Sequence, residues 1–228
     1  LSLNKASSFR RMASGMCLMV GPALTLAASI VDPSDGDGKK YLQSLKDDPD
    51  GAQLSTALWI VGFTLMAIGI TGLVHVIRDR GVTLANIGGG LGIIGSILFV
   101  ALVSTTLQDL NAAEHLPIDT AKKLNDGLDD YWTAYIVFIP ALFGTFVGFI
   151  VLGAAIIRSK VVHLASGVML ILAMLALFSS DGGTTAASIA GGALLTGGFG
   201  MAGLRILGMT DDQWDGRAPL TAGPPPAA

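Results

Sequence analysis

The sequence predicts an all-α integral membrane protein: six transmembrane helices in three hairpins, with two longer acidic outer loops carrying short amphipathic helices. Three observations predict it. Of 228 residues, 51% are hydrophobic and 14% are charged, against roughly a quarter charged in a soluble domain. The charges fall between apolar runs, each about the twenty residues that cross ~30 Å of hydrocarbon. One uncharged run contains Ile87-Gly88-Gly89-Gly90-Leu91-Gly92-Ile93-Ile94-Gly95-Ser96. So many glycines break a soluble helix, but in lipid they make a surface that a second backbone approaches closely.

Taken in order, residues 1–11 form a cytoplasmic segment with Lys5, Arg10 and Arg11, and the spans are 12–31, 54–77, 82–106, 132–157, 161–180 and 184–207. The first run is longer than the apolar core of a signal peptide, so it is read as a retained helix. Pro22 and Pro140 lie inside spans one and four, where kinks are expected. Lys5, Arg10, Arg11, Arg78, Arg80, Arg158, Lys160, Arg205 and Arg217 fall on one side and put both termini in the cytoplasm of a bacterial inner membrane.

The outer loops are acidic. Asp32, Asp35, Asp37, Asp47, Asp48 and Asp50 crowd the first; Asp109, Glu114, Asp119, Asp126, Asp129 and Asp130 crowd the second. Tyr41, Leu42 and Leu45, and then Ile118, Ala121, Leu124, Leu128 and Tyr131, recur at helical spacing, which predicts one short amphipathic helix in each loop. Trp59, Tyr131, Trp132 and Tyr135 are placed at the outer interface, where aromatic rings usually sit. Residues 209–228 form a Pro- and Ala-rich cytoplasmic tail, disordered by composition, with Trp214 a candidate anchor in a partner's groove.

Candidate chemistry is sparse. No charge lies in the middle of a span, which argues against proton-coupled transport and intramembrane acid-base hydrolysis. His75, Asn86 and His163 fall at similar depth and form a candidate polar or ligand cluster. Two histidines on separate helices are what axial haem ligation needs, and interfacial histidines bonded to backbone or lipid phosphate are the simpler alternative. Asp32, Asp35 and Asp37 have the composition of a calcium loop, but Lys39 and Lys46 stand where oxygen ligands are required, leaving a solvated acidic loop. The glycine-rich runs follow no strand and carry no phosphate-binding lysine, so they are not nucleotide loops. Cys17 is the single cysteine, so no intrachain disulfide forms.

Gly88, Gly92 and Gly95 in span three, Gly144 and Gly148 in span four, and Gly192 and Gly200 in span six are the expected helix-packing positions. The expected function is non-catalytic: an accessory or structural subunit of a larger membrane complex, or a homo-oligomer, contacting lipids and partner helices through these glycines. The alternatives are a small permease or lipid-handling protein, whose glycine helices line a groove for an apolar or neutral ligand, and a haem-binding redox subunit. No enzyme activity, metal or other cofactor, or nucleic-acid partner is expected.

Overall fold

The computed structural model describes residues 3–129, 132–179 and 186–220, and among these every regular element is helical. In chain order the helices are α1 (Leu3–Val31), α2 (Gly38–Asp47), α3 (Pro49–Val76), α4 (Val82–His115), α5 (Ile118–Asp129), α6 (Trp132–Ser159), α7 (Leu164–Phe178), α8 (Ala186–Leu207) and α9 (Asp211–Trp214). Five of them, α1, α3, α4, α6 and α8, are long and apolar enough to cross a membrane, as in a multi-pass membrane protein. The sixth apolar helix, α7, has 15 residues, about 22 Å at ~1.5 Å per residue. The connection between α7 and α8, residues 221–228 and Tyr131 lie outside the described residues.

Several boundaries differ from those expected, each for a local reason. α3 starts at Pro49 rather than Leu54: Asp48 caps it by accepting a hydrogen bond from the Gly51 amide at 3.0 Å, with proline in the first turn, where no amide is needed. α4 runs nine residues past Thr106. Its polar extension looks like a loop in sequence, but Leu110 and Ala113, three apart, are buried against α2 and hold the helix together. α1 is already helical from Leu3, well before Met12. Residues 209–220 are structured too, with α9 closed by a reciprocal cap between Thr210 and Gln213.

The six apolar helices form a closed ring in the order α1, α3, α4, α6, α7, α8 and back to α1. Its core includes Leu18, Ile70, Leu170 and an edge-to-face pair, Phe149 and Phe199, with centroids 5.2 Å apart. Both amphipathic segments are helical. At one end of the ring α2 buries Leu42 against Ala113 and Ala121, and Leu45 against Ala52 and Leu110, so it rests on α4 and α5 rather than facing solvent on all sides. α9 lies at the other end.

Glycine pairs set the ring's spacing. A Cβ on Gly88 would meet the Leu152 amide nitrogen at 2.5 Å, one on Gly148 the Gly92 amide nitrogen at 2.5 Å, and one on Gly144 the Gly95 Cα at 2.9 Å. The α4 and α6 backbones therefore touch with no room for a side chain. The sequence reading missed equivalent pairs: Gly21 with Gly62 joins α1 to α3, Gly15 with Gly203 joins α1 to α8, and Gly153 with Gly167 joins α6 to α7. Gly200 is a correction. A Cβ there would meet nothing within 4 Å, because the inner face of α8 runs through Gly191, Gly198 and Gly203.

Candidate functional site

The inside of the ring is not filled. A cavity of about 360 Å³ is lined by residues from all six helices of the ring. Two stripes at helical spacing supply much of its wall. On α1 and the residue that follows it, Thr25, Ser29 and Asp32 stand at i, i+4 and i+7; on α6, Leu142, Thr145, Phe146 and Phe149 stand at i, i+3, i+4 and i+7. The hydroxyls of Thr25 and Ser29 bond back to the carbonyls of Pro22 (2.9 Å) and Thr25 (3.1 Å), so this polar stripe costs the apolar helix little.

Between these two stripes, on α3 and α4, stands an aromatic wall. Trp59 stacks on Phe63 with centroids 5.6 Å apart, and Phe63 meets Phe99 at 4.4 Å. Trp59 was expected at the lipid interface; its place is in this wall, whereas Trp132 and Tyr135 are exposed. Gly192 lines the cavity from α8, where a side chain would take up part of its volume.

A second cavity of about 220 Å³ shares Asp32, Trp59 and Phe99 with the first and continues toward α2, past Ser34, Tyr41, Thr56 and Thr106. Asp32 accepts a hydrogen bond from the Ser34 amide at 3.0 Å. It therefore stands between the two cavities, which corrects its reading as part of a solvated acidic loop. The Tyr41 hydroxyl donates to Asp109 at 3.3 Å. Burial, and next the Asp109 carboxylate, push the Tyr41 phenol well above its ordinary value, so it stays a neutral donor.

Thr145 has a special place in the first cavity. It is 5% exposed, and its hydroxyl, beside Gly95 of α4, has no hydrogen-bond partner among the described residues. A buried hydroxyl without a partner costs about 1–3 kcal/mol. It does not back-bond to its own helix as Thr25 and Ser29 do; the oxygen is fully buried against the α4 backbone at Gly95, in the seam between α4 and α6.

The remaining sequence candidates lie apart. His75 packs on Trp214 with ring centroids 4.8 Å apart, its Nε2 3.2 Å from the Trp214 carbonyl. His163 instead caps α7, accepting from the Ala165 amide at 3.2 Å, and Asn86 is exposed. The three do not share one cluster, because each histidine is engaged with a different element; paired axial ligation of a haem has no support in this geometry.

Trp214 is also corrected. It is 4% exposed and anchors the tail to its own chain. Arg78 donates to its carbonyl, Arg11 donates to the Leu207 carbonyl at 2.7 Å and pairs with Asp211 at 3.1 Å, and the Ser7 hydroxyl donates to Asp215 at 2.6 Å. That last bond, ahead of an ion pair with Arg217, holds the Asp215 carboxyl below its ordinary 3.8. A depressed folded value means its contribution is complete above 3.8 and is lost as pH falls through the lower folded value. With Trp59 and Trp132 replaced by Phe, Trp214 emission is expected to stay constant down to about pH 4 and to change below it, and less so in Asp215→Asn.

The sequence signal for the cavity was present in the Thr25-Ser29-Asp32 and Trp59-Phe63 spacings, but spacing alone does not say which stripes face one another. No group of three or more His, Cys, Asp or Glu able to hold a metal occurs among the described residues. The arrangement suits binding: an apolar chamber with a polar, acidic approach. No protein-family model, curated protein or solved structure matches the chain.

Proposed function

We propose that this chain is a six-span protein of the bacterial cytoplasmic membrane, with α2 and α5 outside and both termini inside, that binds a small apolar or amphiphilic molecule within its bundle, as a small permease or lipid-handling protein does. The single observation that carries this reading is the aromatic-walled cavity of about 360 Å³ at which all six helices meet. That volume lies within the range of ligand pockets, ~300–1,000 Å³. Thr25, Ser29 and Asp32 give it a polar side. The distribution of Lys and Arg supports the orientation, and α7 spans with the help of its flanking segments.

An accessory-subunit role draws on surfaces that the chain already uses. Its glycine faces in α4 and α6 pack on one another, and Trp214 is buried in the same chain. Ile136, Phe138, Ile139 and Phe143, exposed on α6, are what lipid contact requires.

The test is retention. Protein purified in nanodiscs is extracted with organic solvent and compared by mass spectrometry with empty discs, alongside Leu195→Trp, which fills the cavity. One small molecule enriched with the wild type and reduced in Leu195→Trp is the expected result. A wild type that retains nothing beyond the disc lipids, and whose melting temperature 1-decanol does not raise, overturns the reading.

A further inference from the structure

We infer that the ligand of this cavity is an organic cation with a weakly hydrated head, of the quaternary-ammonium kind, on an apolar body, entering from the α2 and α5 end. The inference rests on the binding role proposed above and names its substrate class.

Charge comes first. Residues 32–53 carry six aspartates against three lysines, and residues 107–130 carry six acidic residues against two lysines. Some of this is paired internally, Lys39 with Asp119 and Lys40 with Asp35 at 2.8 Å, but the excess at this end remains acidic. Such a field concentrates cations at the entrance and repels anions. Among the described residues, no lysine, arginine or histidine lines either cavity. An anionic headgroup thus finds no counter-charge, whereas a cation finds Asp32 where the two cavities meet.

The walls select the kind of cation. Trp59, Phe63 and Phe99 form one continuous aromatic surface beside Asp32. Ring faces attract cations, and a quaternary ammonium needs no hydrogen-bond acceptors and gives up little hydration on entry. A primary ammonium requires about three acceptors, and a metal ion several oxygens; a wall of carbon supplies neither.

Three aromatic probes separate the possibilities: benzyltrimethylammonium, its neutral carbon isostere neopentylbenzene, and the anion benzenesulfonate. Each is titrated calorimetrically into the full chain in zwitterionic nanodiscs, with empty discs subtracted. Expected is at least about tenfold tighter binding of the cation than of the isostere, with no measurable sulfonate binding. Asp32→Asn and Trp59→Leu should each remove most of that preference, while Asp32→Asn still binds neopentylbenzene, which shows the cavity intact. Equal affinity for cation and isostere, or a preference unchanged in both variants, overturns the cation inference and leaves the binding role standing. If no probe binds and nothing is retained on purification, both fall.

Discussion

Replacing Gly148 by leucine is expected to unfold this protein, or to destabilise it by about 3 kcal/mol or more, at the upper end of what overpacking costs. A Cβ at Gly148 would lie 2.5 Å from the Gly92 amide nitrogen and 2.9 Å from its Cα. These are backbone atoms, so no rotamer change gives way. The helices must part, and the Gly88 contact with Leu152 and the Gly144 contact with Gly95 open with them. Because α4 and α6 are neighbours in a closed ring, parting them also breaches the cavity wall at Thr145. Gly90→Leu and Gly200→Leu are the controls, since a Cβ at either meets nothing within 4 Å. Both should be neutral or slightly stabilising, as leucine is the better helix former by up to ~1 kcal/mol. Thermal unfolding of all three variants in one detergent decides it: a Gly148→Leu protein as stable as Gly200→Leu would show that the close α4–α6 approach does not hold the ring together.

The second large effect is expected at the opposite end. Trp214→Ala removes a buried ring that fills the space between His75 and Gly72, where a Cβ on Gly72 would already approach the indole at 3.2 Å. Truncating a buried tryptophan costs about 3–5 kcal/mol. Trp214 joins the bundle core from a tail that follows the last apolar helix, so the loss should appear first as release of the tail. Trypsin cleavage after Arg217 is expected to accelerate on the order of a hundredfold, with the melting temperature of the bundle nearly unchanged. Arg11→Ala, which loses the Leu207 and Asp211 contacts but leaves the indole seated, should give a smaller acceleration. Equal cleavage of wild type and Trp214→Ala would mean that the ion pairs alone hold the tail.

Much of the fold was legible in the sequence because membrane insertion is a local property. The positions of apolar runs, the two short amphipathic helices and the Gly88-Gly92 register each depend on a few consecutive residues. The extension of α4 has a tertiary cause. Whether Gln108 to His115 continue a helix depends on Leu42 and Leu45 being available to bury Leu110 and Ala113, and those residues lie more than sixty positions earlier in the chain. Trp214 was misread for the same reason: its groove is built from α1 and α3 of its own chain, and nothing near it in sequence reveals that.

The cavity shows the division most clearly. The sequence by itself determined that this protein is a bundle of apolar helices with acidic connections at one end and basic ones at the other, because hydropathy and charge need only to be counted along the chain. Thr25, Ser29 and Asp32 make a stripe at helical spacing. Only the tertiary structure decided that this stripe faces Phe99, Trp59 and Thr145 across an open chamber, that the glycines of α4 and α6 serve each other, and that Gly200 faces outward. The physical reason is that helix rotation and choice of neighbour are set by backbone approach at glycines far apart in sequence, and a rotation of about 100° per residue turns a lining position into a lipid-facing one.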